Sequence, residues 1–242
     1  MPNVTRRGHR VHYSVEGTGP TVVLLHGLLM ADGWQAGGIA PALAADYRVV
    51  CIDSLGEGRS DKPDNPSLYV QSERTADVVA VLDAIDSERA HIIGYSMGGW
   101  AAVGMAKHYP HRLSSLAVGG WDIENGLPHG PTGPLTFDQF MGFARQAAPS
   151  LANTVRAEDE PAVRACFDTL SELDGARSAV IDLKAPVLLW AAEDDPYHRP
   201  MRHFASLHGI PFVSTGGNHL SAILNPHPAV LRDLQGFISS AS

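Results

Sequence analysis

A serine bracketed by glycines, Gly94-Tyr95-Ser96-Met97-Gly98-Gly99, stands where the short apolar run His91-Ile92-Ile93 gives way to a helix-like segment. This is the G-x-S-x-G spacing of a nucleophile elbow. A serine on a sharp strand-to-helix turn has strained backbone angles. The residues two before and two after it then approach so closely that glycine fits best. The turn exposes the hydroxyl and places the Met97 amide at a helix N-terminus, where a developing oxyanion is stabilised. Five residues of this form also arise by chance in a chain with 24 glycines, so the motif needs partners.

Acyl transfer through serine requires a base to take the hydroxyl proton and an acid to hold that base in the right tautomer. In an elbow protein these follow in the order Ser, Asp, His. The apolar run Val187 to Ala191 leads into Ala192-Glu193-Asp194-Asp195-Pro196, and Gly216-Gly217-Asn218-His219 follows the next strand-like segment. His219 is the expected base, since its glycines suit a tight loop that aims it inward. His198, His203, His208 and His227 lie in polar or helix-start contexts. Asp195, Asp194 and Asp122, the last at the end of an earlier strand, all compete for the role of acid. Upstream, Val22 to Leu25 ends in His26-Gly27-Leu28-Leu29. Glycine at 27 lets the chain turn so that the Leu28 amide faces the same oxyanion as Met97. Losing one such donor typically costs about 2.7 to 4 kcal/mol of barrier.

Strand-like and helix-like patterns alternate around these positions. Val11 to Glu16, Val22 to His26, Tyr47 to Ile52, 91 to 95, Leu113 to Val118, Pro186 to Ala191 and Pro211 to Ser214 read as strands. Helical spacing covers 72 to 86, 97 to 108 and Pro228 to Ile238. Alternation of this kind implies an α/β fold with a mostly parallel sheet and helices on both faces. Residues 123 to 184 break the rhythm, without a convincing strand. They open with Gly126, Pro128, Gly130, Pro131, Gly133 and Pro134, and two helical patterns follow. This stretch reads as a helical insertion over the carboxyl edge of the sheet, where ligands bind in open α/β folds. The core is then 1–122 and 185–242.

At 242 residues, with 44% hydrophobic and 18% charged residues, the chain suits one large globular domain. A formal net charge of −8 disfavours nucleic acid as a partner. Cys51 and Cys166 form no disulfide framework or metal spacing. The twelve histidines contain no H-E-x-x-H or comparable cluster, so no metal is expected. Arg6, Arg7 and Arg10 precede no apolar signal region, and the apolar runs are too short to span a membrane. A soluble, cytoplasmic protein acting on a small molecule is expected.

Taken together, His26-Gly27, Asp53-Ser54-Leu55-Gly56-Glu57-Gly58-Arg59-Ser60, Gly94 to Gly99, Ala192 to Asp195 and Asn218-His219 resemble the α/β-hydrolase family, specifically its cap-bearing, esterase-like members. The pieces span nearly the whole chain in the family's order. The resemblance implies Ser96 as nucleophile, His219 as base, Asp195 as acid three residues after Ala192, and the Leu28 and Met97 amides as oxyanion hole. It implies no cofactor. Position 57 is Glu where the family most often has His, which adds a negative charge near the rim, and Ala192 replaces a usual Gly. The insertion is short for a family cap.

The expected activity is hydrolysis of a small or medium carboxylic ester or lactone through an acyl-enzyme on Ser96. Carbon–carbon bond hydrolysis and cofactor-free perhydrolysis use the same triad, and a small-molecule receptor can keep it without turnover. His26 reads as a structural histidine stiffening the oxyanion loop. Asp53 with Gly56 and Gly58 reads as a scaffold turn, since it lacks the Lys-Ser/Thr ending of a P-loop. Leu29, Trp121, Phe137, Phe140 and Met141 are the candidates for contact with substrate. Trp34 and Trp100 fit core or pocket equally.

Overall fold

The computed structural model describes residues 2–130 and 133–241, so Pro131 of the turn-rich stretch lies outside the described residues. Eight strands form one sheet in the order β1-β2-β4-β3-β5-β6-β9-β10. They are β1 (Asn3–Arg6), β2 (His9–Glu16), β3 (Thr21–Leu25), β4 (Arg48–Ile52), β5 (Ala90–Tyr95), β6 (Leu113–Gly119), β9 (Val187–Ala192) and β10 (Phe212–Thr215). Two-residue strands β7 (His129–Gly130) and β8 (Gly133–Pro134) pair antiparallel in a separate two-stranded sheet, a small exception to the strand-free reading of the insertion. β1, β2 and β4 pair antiparallel, and every neighbour from β4 to β10 is parallel.

The continuous apolar runs become central strands because both faces of the sheet are covered. On one face Val23, Leu25, Ile92, Leu116 and Leu189 meet α3 (Gln71–Ala84), α4 (Met97–His108), α8 (Ala176–Ile181) and α9 (His198–His208). On the other, Val22, Leu24, Ile93, Ala117 and Leu188 meet α1 (Gly33–Ala36), α2 (Ile39–Leu43), α10 (Ser221–Leu224) and α11 (Pro228–Ser240). The period of two along each strand sends alternate side chains into the two cores.

Within the insertion lie α5 (Phe137–Ala147), α6 (Pro149–Ala152) and α7 (Glu160–Asp168). A capping box starts α5: Thr136 Oγ1 accepts from the Gln139 amide at 3.3 Å, and Gln139 Oε1 accepts from the Thr136 amide at 3.0 Å. The roof is shorter than residues 123–184, because α8 packs against α4 within the core layer. The return is fixed where Trp100 Nε1 donates to the Glu172 carbonyl at 3.0 Å and Gln71 N donates to the Glu172 carboxylate at 3.0 Å. Among the described residues no helix is long and apolar enough to cross a membrane.

Candidate active site

β5 carries the elbow. Ser96 adopts φ 55° and ψ −119°, a conformation that L-residues hold only under constraint. A Cβ on Gly94 would stand 2.0 Å from the Gly98 carbonyl oxygen, and one on Gly98 would stand 1.9 Å from the Leu25 carbonyl oxygen. The glycine spacing is therefore steric, and it holds α4 against β3 and β5. Gly98→Ala is expected to destabilise the fold by about 3 kcal/mol or more, because the obstacle is backbone that cannot yield. Denaturant unfolding checks this, and wild-type stability would refute the steric account.

The other site groups arrive from the carboxyl ends of neighbouring strands. Asp195 follows β9 and is buried, and His219 follows β10. His219 Nδ1 donates to Asp195 Oδ2 at 2.7 Å, which leaves Nε2 as the ring's acceptor. Asp195 Oδ1 accepts from the Tyr197 amide at 3.0 Å, so the carboxylate is gripped from both ends. Its rivals are elsewhere. Asp122 accepts from the Glu124 and Asn125 amides at 3.0 and 3.1 Å and from Asn125 Nδ2 at 2.9 Å, inside its own turn. Asp194 is exposed on the loop, its amide donating to the Gly217 carbonyl at 2.9 Å.

Tyr95, which no spacing signalled, binds the acid and base loops together. Its hydroxyl lies 2.8 Å from the His219 carbonyl oxygen and 3.1 Å from Asp195 Oδ2, and its proton serves these two acceptors. The ring lies against the imidazole with centroids 4.9 Å apart. Burial, reinforced by the Asp195 charge, pushes the phenol well above its ordinary range, so it stays a donor.

Ser96 and His219 open into one cavity of about 200 Å³. Leu28 and Leu29 wall it from below, and Phe140, Ala144, Ala147, Ala148 and Leu151 of the α5–α6 roof close it from above. Exposed Phe143 stands at its edge. A second, more polar cavity of about 380 Å³ adjoins it across Leu29, Met30 and Leu151.

Of the substrate candidates, Leu29 and Phe140 line the apolar cavity; Trp121, Phe137 and Met141 do not. Trp121 is 1% exposed and packs on Tyr197, with ring centroids 5.9 Å apart. The chain reverses at Gly120 (φ 54°), which turns the indole into the core. Phe137 and Met141 are buried as well, with Phe137 edge-on to Phe167 at 5.7 Å. They occupy the inward stripe of α5, while Phe140, Ala144 and Ala147 lie on the adjacent stripe that meets the cavity. Trp34 and Trp100 are core residues.

The loop after β3 lies against Ser96: a Cβ on Gly27 would come within 3.2 Å of Ser96 Cβ. Met97 begins α4, so its amide is one of the helix's unpaired donors. His26 is structural, as expected: Nδ1 donates to the Gly27 carbonyl at 2.8 Å and Nε2 accepts from the Ser54 amide at 3.0 Å. Glu57 lines the second, more polar cavity. It is 4% exposed beneath the loop, and both its oxygens accept from the Leu29 amide, at 2.9 and 3.1 Å. Asp53 Oδ2 accepts from the Arg59 amide at 2.9 Å and contacts His12 Nδ1 at 3.1 Å, a scaffold turn. Among the described residues no group of three or more His, Cys, Asp or Glu is placed to hold a metal ion.

Comparison with known proteins agrees with this architecture. A solved enol-lactonase from Burkholderia xenovorans LB400 superposes with a TM-score of 0.79 at 21% identity, covering 98% of this chain and 100% of that one. The 2-hydroxy-6-oxononadienedioate/2-hydroxy-6-oxononatrienedioate hydrolase of Cupriavidus pinatubonensis is 41% identical over 152 residues, 61% of this chain and 51% of that protein. The 2-hydroxy-6-oxo-6-phenylhexa-2,4-dienoate hydrolase of Comamonas testosteroni is 37% identical over 122 residues, 46% of this chain and 39% of that protein. The matched stretch thus spans about half, or less, of these relatives' length. The family model described as the alpha/beta hydrolase fold matches residues 20–171. The elbow on β5, the eight-stranded, mostly parallel sheet and that match together show that the chain belongs to the α/β-hydrolase fold family.

Proposed function

We propose that the chain is a serine hydrolase that cleaves small or medium carboxylic esters or lactones through an acyl-enzyme on Ser96. The observation that carries this reading is Ser96 and His219 facing one apolar cavity, with His219 hydrogen-bonded to buried Asp195 at 2.7 Å. In this reading His219 Nε2 takes the Ser96 proton as the hydroxyl oxygen attacks the carbonyl carbon. The Leu28 and Met97 amides stabilise the resulting oxyanion, and His219 protonates the departing alcohol. Water activated by the same imidazole then releases the acid. The cavity walls bury the acyl portion, and a volume of about 200 Å³ suits a short chain.

A second reading, carbon–carbon bond hydrolysis beside a ketone, is favoured by the names of the two curated relatives. It uses the same serine and base with a different leaving group. Assaying p-nitrophenyl acetate and butyrate beside a vinylogous 1,5-diketone separates the two. Ester turnover well above background with an inert diketone is expected; turnover of the diketone alone would replace the first reading with the second, and no turnover of either would sink both.

Cavity shape gives a finer expectation. Ala148 is buried at the α5–α6 junction and lines the cavity. Ala148→Phe fills that space and should lower kcat/KM for butyrate relative to acetate by about tenfold or more. An unchanged ratio would mean that the acyl chain lies elsewhere.

A further inference from the structure

The loop that follows β3 is shaped by two clamps acting on consecutive peptide units. A peptide is planar and trans, so fixing its carbonyl fixes the opposite direction of its N–H. The Gly27 carbonyl belongs to the same unit as the Leu28 amide. It accepts from His26 Nδ1 at 2.8 Å and from the Met30 amide at 3.0 Å, which sets where the Leu28 N–H points. The next unit ends in the Leu29 amide, held by both oxygens of Glu57. Leu29 itself has φ 65°, a left-handed conformation that a branched aliphatic residue keeps only when its surroundings impose it.

Glu57 is placed to impose it. Its own backbone is tied into the turn, the amide donating to the Ser54 carbonyl at 2.9 Å and the carbonyl accepting from the Ser60 amide at 3.1 Å. Its carboxylate also lies 3.4 Å from His26 Nδ1, favouring the tautomer that grips Gly27. Burial pushes this carboxyl up, opposed by the charges or dipoles of His26, the Leu29 amide, Arg74 and Lys62. Protonated or not, the group keeps an oxygen for the Leu29 amide.

We propose that Glu57 is a positioning residue: it locks the Leu28–Leu29 peptide and, with His26, aims the Leu28 amide at the oxyanion formed on Ser96. The inference rests on the serine-hydrolase reading above. Glu57 touches neither substrate nor Ser96 in this role. It acts through the loop, so its removal weakens the transition state and leaves ground-state binding in the apolar cavity intact.

Two variants of similar size isolate the hydrogen bond. Glu57→Gln keeps an acceptor for Leu29, whereas Glu57→Met fills the space without one. Deleting an oxyanion donor costs about 10²- to 10³-fold in kcat, and misaiming one should cost about 10- to 100-fold. With p-nitrophenyl acetate, Glu57→Met is therefore expected to lose that much kcat with KM changed by less than about threefold. Inhibition by an alkyl boronic acid, whose Ser96 adduct places an anionic oxygen in the same hole, should weaken by the factor that kcat/KM falls. Glu57→Gln should keep kcat within about threefold of the wild type.

A Glu57→Met variant with wild-type kcat would overturn the proposal, as would Gln and Met variants that fall together. Should the Met variant not fold, Glu57→Asp, one methylene short of the Leu29 amide, takes its place with the same expectations. Ser96→Ala is the separating control. If it cleaves the ester as fast as the wild type, the hydrolase reading itself falls. If it is inert while Glu57→Met is unaffected, only the positioning role falls.

Discussion

Ser96→Ala is expected to lower kcat for ester hydrolysis by about 10⁵- to 10⁶-fold. At about 1.4 kcal/mol per decade this removes about 7 to 8 kcal/mol of transition-state stabilisation. The size follows from interdependence: without the hydroxyl oxygen there is no acyl-enzyme, and the imidazole and amide donors have no intermediate to serve. Alanine at this site keeps the backbone strain, since the φ of 55° belongs to the turn and not to the side chain. The variant should therefore fold and unfold like the wild type. Steady-state kinetics with p-nitrophenyl acetate, read beside a denaturation curve, checks both halves. A folded variant with a few-fold loss would show that chemistry proceeds without the serine.

The second large effect belongs to the acid. Asp195→Asn should lower kcat by about 10⁴-fold. The reason is tautomeric. Asp195 Oδ1 accepts from the Tyr197 amide, so the amide oxygen of asparagine takes that place. Its NH₂ group then faces His219 Nδ1, which must become an acceptor and sends the ring proton to Nε2. An imidazole protonated there cannot take the Ser96 proton. Asp122→Asn disturbs only the turn at 122–125 and should leave kcat within about threefold. Measuring both variants on one substrate decides the assignment. A collapse in Asp122→Asn with activity kept in Asp195→Asn would reverse it.

How much of this was legible in the sequence varies by residue, for physical reasons. The elbow was legible because its glycines answer a local steric demand, confirmed by contacts of 2.0 and 1.9 Å that any side chain would make. The central strands were legible because burial on both faces requires unbroken apolar runs, as in Val22 to Leu25 of β3. β1 was missed: Asn3–Arg6 is an edge strand of four residues with no buried stripe to announce it. α9 was hidden by its polar face, although Met201, Phe204 and Ala205 are buried.

Tertiary partnerships left no trace in the local pattern. Tyr95 occupies a variable position of the motif, yet its hydroxyl reaches Asp195, 100 residues away in sequence. The polar turn around Glu57 announced its place near the site but not its burial. Its burial depends on the Leu29 amide coming to meet it from another strand end. The substrate-facing residues were the least legible. Phe137 and Phe140 share one amphipathic helix, and a rotation of about 100° per residue decides which stripe meets the core and which the cavity.

The central claim is that Ser96 is the nucleophile, and covalent capture tests it most directly. The wild-type protein is treated with a fluorophosphonate, and the adduct is located by peptide mapping with mass spectrometry. One phosphonyl group on the peptide containing Ser96, lost in Ser96→Ala and slowed in Asp195→Asn, is the predicted result. A wild-type protein that stays unmodified, or carries the group on another residue, would contradict the account.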